Sequence, residues 1–213
     1  IGAFVTGQGD GLADAPTFGA CLVNGLVLDK DGVKMSKRLG NVIDPWELVR
    51  AHGADAVRWY LVGSAAPWLS KRLDSEGIAE VRRRFFRALL QSYDGFFRVY
   101  AEIDGFDPAT SRVPPVAERP AIDRWLVSRT QSVVARARAC YGEHDLFGAL
   151  RAIEDFTADE LSNWYIRRNR RRFWKGETGP DKLSASASRH AALQARTLCR
   201  PPLAPFPPEI PWR

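Results

Sequence analysis

From Ser75 to Tyr100 the residues Ile78, Val81, Phe85, Leu89, Tyr93, Phe96 and Tyr100 recur at intervals of three and four. A strand alternates every two residues, so this spacing demands a long helix with one apolar face, which must be covered by further helices. The same period returns twice downstream. Ile122, Trp125, Leu126 and Val133 mark an inward face, with Arg129, Arg136 and Arg138 outward and Gly142 at its end. Leu146, Leu150, Ile153, Phe156, Leu161 and Trp164 mark a third helix that runs into a basic stretch. Pro108, Pro114, Pro115 and Pro120 separate the first helix from the second and read as a linker.

Upstream the pattern differs. Residues 1–19 read as loop, and the apolar run from Ala20 to Leu28 reads as a buried strand broken near Asn24-Gly25. Asp29-Lys30-Asp31-Gly32 is turn chemistry. Asp44-Pro45-Trp46-Glu47 starts a helix, with Asp44 as cap and Pro45 at the first helical position, and Gly53 ends it. A second short helix is expected from Ala54 to about Leu61. The chain is thus mainly α, a short β-containing piece feeding a helical bundle, with the change between Gly63 and Asp74. The tail from Pro201 is too rich in proline for a helix to be expected.

Composition narrows the function classes. A 45% hydrophobic content fits a folded domain and excludes a disordered tail. No run approaches the ~20 apolar residues that a membrane-spanning helix needs. Cys21, Cys140 and Cys199 are far apart and odd in number, so neither a disulfide framework nor a paired-cysteine metal site is expected; Cys21 and Cys140 are expected as small core residues. His52, His144 and His190 have no ligand spacing. A cytoplasmic location follows from the cysteine usage. Position 1 is isoleucine and the first methionine is Met35, so the sequence is expected to be a piece of something longer. The net charge of +6 suits a polyanionic partner.

Two groups of residues could bear chemistry. Lys34-Met35-Ser36-Lys37-Arg38 lies between a strand and a helix. Its two ammonium groups and a hydroxyl could surround a triphosphate, and the bland alternative is a solvated surface loop. The second group is Arg167, Arg168, Arg170, Arg171, Arg172 and Lys175, interleaved with Trp164, Tyr165, Phe173 and Trp174. Guanidinium forks suit phosphate oxygens and aromatic faces suit unstacked bases. The structural alternative pairs some of these arginines with Glu154, Asp155 or Asp159.

The run from Asn24 to Trp68, NGLVLDKDGVKMSKRLGNVIDPWELVRAHGADAVRWYLVGSAAPW, closely resembles class I aminoacyl-tRNA synthetases around their KMSKS loop. The stretches 82–106, 123–129 (DRWLVSR) and 161–176 (LSNWYIRRNRRRFWKG) narrow the resemblance to the isoleucyl-tRNA synthetases, with a valyl-type enzyme as the alternative. It covers about residues 12 to 176 and fades after Asp181. The resemblance implies that residues 1–73 close a Rossmann-type α/β catalytic domain and that 74–213 form a helical anticodon-binding domain. It implies that Lys34, Met35, Ser36 and Lys37 close over ATP, with Lys34, Ser36 and Lys37 catalytic and Lys37 the main ATP contact. Arg38 stands where many bacterial members carry serine. Gly40 and Asn41 would shape the exit of the loop. Arg167, Arg168, Arg170, Arg171, Arg172, Trp174 and Lys175 would bind tRNA. The expected partners are tRNA(Ile), ATP and isoleucine, with Mg2+ arriving on ATP, no metal site in the chain and a monomeric state. The HIGH segment and the editing domain are not in the sequence. The remaining alternative is a stand-alone helical RNA-binding module with a vestigial loop.

Overall fold

The computed structural model describes residues 21–174, 179–199 and 202–205, with the side chains at 94–96 and 196–198 outside the described set. Helices dominate it. Strand β1 (Val27–Leu28) pairs in parallel with β2 (Lys71–Arg72), with Val27 opposite Lys71 and Leu28 opposite Arg72. A parallel pair needs a crossover, and the helices α1 (Pro45–His52) and α2 (Ala54–Gly63) supply it. Asp44 caps α1 through a bond from the Trp46 N–H at 2.9 Å, with Pro45 at the first position, as the sequence led one to expect. Gly25 packs where a Cβ would strike the backbone of Leu69 and Ser70, so no other residue fits there.

The run from Ala20 does not form a buried strand. Ladder pairing is confined to Val27–Leu28, and Leu22, Val23 and Leu26 are exposed. Cys21, expected in the core, is exposed as well, whereas Cys140 is buried. The parallel partner of this run is two residues long, and a single antiparallel bridge joins Leu28 to Lys34, too little sheet to cover the rest of the run.

The long helix α3 covers 75–104 but is not one regular α-helix. Ser75–Val81, Arg87–Ser92 and Val99–Asp104 are α, and the intervening Arg82–Phe86 and Tyr93–Arg98 are π-helical. The cause is legible in the sequence. Val81, Phe85, Leu89, Tyr93 and Phe97 follow at intervals of four, which drift by about 40° per step on a 3.6-residue helix. The wider π turns absorb that drift and keep the stripe on one face. Phe97 is buried on it, whereas the side chain of Phe96, expected there, lies outside the described set. Helix α4 is Ala121–Gly142. Helix α5 covers 146–174: α over Leu146–Asp155, π over Phe156–Ile166 and α again over Arg167–Trp174. Trp164, expected inward, is 37% exposed, because the π segment turns it off the buried face that Leu161 and Tyr165 hold.

Helix α6 (Pro180–Cys199) carries no apolar stripe by which the sequence would mark it out within the helical domain. Its small residues Ser184, Ala185, Ser188 and Ala192 are buried and let it approach α4 closely. Lys182 pairs with Asp104 at 2.6 Å with both side chains more than nine-tenths buried, which ties α6 to the end of α3. Beyond it Leu203 and Ala204 are buried in the core, and Arg58 holds the carbonyls of Leu203 and Pro202 at 3.1 and 3.2 Å.

Two apolar clusters fill the interior. The first gathers Leu48, Val57, Trp59, Ile78, Phe85, Phe86, Leu150, Ile153 and Leu203, with Met35 packed against it. The Trp59 and Phe85 rings stack at 4.2 Å, and the indole N–H donates to Glu154 Oε1 at 2.7 Å. The second gathers Phe97, Leu126, Val133, Phe156, Leu161, Tyr165, Phe173 and Leu193. His190 stacks on Phe97 at 5.5 Å, and burial pushes its pKa below the usual histidine value. The neutral ring is the form the fold favours, so its contribution is complete above about pH 6.5 and is lost as pH falls below it. The thermal midpoint should fall between pH 7.5 and 5.0, and His190→Gln should flatten that slope; an equal slope in both proteins would remove His190 as a cause.

Candidate functional site

The loop from Asp29 to Asn41 is built by one carboxylate and one amide. Asp29 Oδ1 accepts from the N–H groups of Asp31 and Val33 at 3.0 and 2.8 Å, closing the turn, and Oδ2 accepts from Asn41 Nδ2 at 2.8 Å. Those bonds, the Asn41 bond foremost, hold the Asp29 carboxyl below the usual carboxylate range. Asn41 Oδ1 in turn accepts from the Ser36 N–H at 2.9 Å, and its Nδ2 lies 3.4 Å from the Lys34 carbonyl. Asn41 therefore staples both ends of Lys34–Ser36. Leu28 and Lys34 meet in an antiparallel bridge, so the loop leaves the sheet directly. Ser36 Oγ caps the short 3₁₀ turn Lys37–Leu39 by accepting from the Leu39 N–H at 3.3 Å, and Gly40 closes it at φ 68°. That left-handed conformation favours glycine.

The result is a rigid base with free cations. Lys34, Lys37 and Arg38 are exposed, and no described carboxylate pairs with any of them. Met35 is half-buried and anchors the loop on the first core. Unpaired ammonium groups on a fixed turn suit a phosphate chain. Asn41 has the structural role expected of it. Asp29 was legible only as a turn former, and nothing in the sequence distinguished it from Asp31.

The basic stretch divides in two. Arg172, expected to contact tRNA, points inward with its side chain 18% exposed. It forms a fork to Asp123, Nη1 to Oδ1 at 2.8 Å and Nη2 to Oδ2 at 2.9 Å, and binds the Asp181 carboxylate through Nε at 2.8 Å and Nη2 at 2.6 Å. Asp123 is fully buried. Tyr165 and Ser184 donate to it at 2.7 and 2.6 Å, so α4, α5 and α6 meet at one carboxylate. Burial by itself would raise the Asp123 pKa, but the bonds from Arg172, Ser184 and Tyr165 outweigh it and hold the carboxyl below its ordinary value. Burial likewise opposes the Arg172 charge, and the two carboxylates raise its pKa on balance. Glu154, a candidate partner for these arginines, is instead taken by Trp59 and by Arg151 at 3.2 Å.

Arg167, Arg168, Arg170 and Arg171 point outward, and no described carboxylate pairs with them. The Arg168 guanidinium lies 5.4 Å from the Trp164 ring and that of Arg170 lies 4.4 Å from Trp174, which is 53% exposed. Lys175 lies outside the described residues. Among the described residues there is no group of three or more His, Cys, Asp and Glu able to hold a metal ion. No described helix is long and apolar enough to cross a membrane.

Asp123→Ala should cost about 3–5 kcal/mol, because it leaves Arg172 buried without its main partner. Arg170→Ala, on the exposed face, should stay within about 0.5 kcal/mol. Urea midpoints for the two variants check this, and a similar small loss in both would show that the buried network holds nothing together.

Comparison with known proteins gives two family matches. The family model for tRNA synthetases class I (I, L, M and V) matches residues 8–71, and that for the anticodon-binding domain of tRNA ligase matches 123–212. The second match extends past Asp181, where the resemblance was expected to fade. An isoleucine–tRNA ligase of Bacteroides thetaiotaomicron is 45% identical over 91% of this chain, which covers 16% of that protein. One of Thermus thermophilus is 41% identical over 90% of this chain and 18% of its own. The chain thus spans less than a fifth of the length of these relatives. Among solved structures, a Mycobacterium tuberculosis methionyl-tRNA synthetase with methionyl-adenylate superposes with a TM-score of 0.67 at 20% identity, covering 87% of this chain and 36% of that one. A LeuRS of Agrobacterium radiobacter in a ternary complex with tRNA and LeuAMS gives 0.65 at 22% identity, covering 89% and 21%.

Proposed function

Because this chain belongs to the class I tRNA synthetases, we propose that it works as part of an isoleucine–tRNA ligase, activating isoleucine with ATP and passing it to tRNA(Ile) in the cytoplasm. Residues 1–73 then complete the catalytic domain and 74–213 hold the tRNA. The observation that carries this reading is the stapled loop, a fixed turn that presents Lys34 and Lys37 without any described carboxylate to neutralise them.

In adenylate formation the amino acid carboxylate attacks the α-phosphorus, a new O–P bond forms and the bond to the β-phosphate bridging oxygen breaks. Negative charge builds on the departing pyrophosphate. Ammonium groups placed there stabilise that charge more in the transition state than in bound ATP. Lys37 sits within the capped 3₁₀ turn and Lys34 at the bridge to β1, so the two approach the phosphates from opposite ends of the loop. Ser36 Oγ is used as an acceptor by Leu39, which leaves its hydroxyl proton to donate to a phosphate oxygen. Arg38 adds a third cation beside them. A magnesium ion would travel with the nucleotide and neutralise its phosphates, held by them and by water.

The exposed arginines of α5 supply the RNA side. Four outward guanidinium groups with interleaved tryptophans suit a folded RNA better than any small anion.

In the full-length enzyme, Lys37→Ala should lower isoleucine-dependent ATP–pyrophosphate exchange by about 10²–10³ while leaving tRNA affinity nearly unchanged. Equal losses in both assays would overturn the assignment of the loop. Replacing Arg170 and Arg171 with alanine should do the reverse. It should weaken tRNA binding and reduce the slope of log K against log salt by about 1.5, since two phosphate contacts are lost. A wild-type slope in that variant would move the RNA contacts elsewhere.

A further inference from the structure

The second core is roofed by a tryptophan pair that joins Trp164 of the basic stretch to a second ring, on α4, outside that stretch. Trp125 of α4 and Trp164 of α5 lie 4.4 Å apart, ring centre to ring centre, tilted by 56°. Trp164 is 37% exposed and Trp125 is half-buried. The contrast with Trp59 is informative. That ring is fully buried and its N–H is bonded to Glu154, whereas no described residue accepts from the indole N–H of Trp125 or Trp164.

The pair is held in place from both sides. One helical turn away along each helix, Arg129 makes a fork to Glu160 at 2.6 and 2.7 Å. On the inner side Tyr165 donates to the buried Asp123. α4 and α5 are antiparallel here, so these two contacts fix the register in which Trp125 meets Trp164. Arg168, one turn beyond Trp164, lays its guanidinium 5.4 Å from that ring. Arg124, next to Trp125, is exposed, and no described carboxylate pairs with it or with Arg168. The acidic groups on either side are both matched, Glu160 by the Arg129 fork and Asp123 by Arg172.

We propose that Trp125, Trp164 and Arg168 form a stacking platform for an unpaired RNA base, with Arg124 and Arg168 on the flanking phosphates. This rests on the reading of the α5 face as an RNA-binding surface. It adds Trp125, from a different helix, to that surface and gives it a mode of recognition. A rigid aromatic face bordered by arginine accepts any base by its π-face, and the cations favour a polyanion over an apolar peptide. A double-stranded stem keeps its bases stacked inside and cannot use such a platform.

The test uses the full chain and two RNA probes, a tRNA(Ile) transcript and a blunt duplex of its acceptor stem. Trp164→Leu keeps apolar bulk but removes the π-face, and Trp164→Phe keeps a ring. The leucine variant should bind the transcript about tenfold more weakly with an unchanged salt slope, while the phenylalanine variant retains most of the affinity. Arg168→Ala should weaken binding and also lower the slope by somewhat less than one. Duplex binding should be the same in all of them, and matching far-UV circular dichroism and thermal midpoints exclude a folding defect. Wild-type affinity in both Trp164→Leu and Trp125→Leu, with the Arg170/Arg171 variant still altered in slope, would overturn the platform and leave the RNA surface standing. A wild-type chain that binds neither probe would overturn both.

Discussion

The Asp123–Arg172 fork is the contact on which the helical half depends. A fully buried carboxylate is tolerated only when its charge is matched and its oxygens are bonded, and here a guanidinium, a phenol and a hydroxyl all converge on it. Those donors come from α5 and α6, while the carboxylate belongs to α4. The fork also fixes the rotation of α5. With Tyr165, Asn169, Arg172 and Phe173 turned inward, the 100° step per residue sends Arg167, Arg170 and Arg171 outward and puts Trp164 with Arg168 on one flank. One inward arginine thereby sets the direction of its neighbours.

The fork and the loop are joined through continuous structure. Leu28 carries the loop on β1, β1 pairs with β2, and Lys71 of β2 bonds the Leu61 carbonyl of α2 at 2.8 Å. From α2, Trp59 reaches Glu154 on α5, whose far end bears the arginines. The first core follows this path and mixes residues from both sides of the fold, since Trp59 and Val57 pack with Leu150 and Leu203. The Lys34–Arg38 loop and helix α5 are thus borne by one packed body.

Much of this was readable from the sequence because local chemistry decided it. The Asp44-Pro45 start of α1, the apolar stripes of α3 and α4, and the turn at Asp29-Gly32 are local devices that the structure reproduces. The misses share a different cause. Whether Ala20–Leu28 is buried depends on what lies across the sheet, and whether Arg172 faces RNA or a carboxylate depends on Asp123, 49 residues away. Helix α6 was not marked out within the helical domain because serine and alanine carry no apolar stripe, though their small size is what allows close packing. The π turns were legible in principle from the four-residue spacing of α3. Trp125 gave no signal of its own, since one tryptophan on a helix reads as core.

The buried clamp turns one face of α5 outward, and the proposal made above is that this face meets RNA. Ultraviolet cross-linking of a tRNA(Ile) transcript to the chain, followed by peptide mapping, tests it most directly. The expected result is cross-links concentrated on Trp164, Trp174 and the intervening arginine peptide, suppressed by excess unlabelled transcript. Cross-links confined to the 34–38 loop or to the opposite side of the bundle would contradict it.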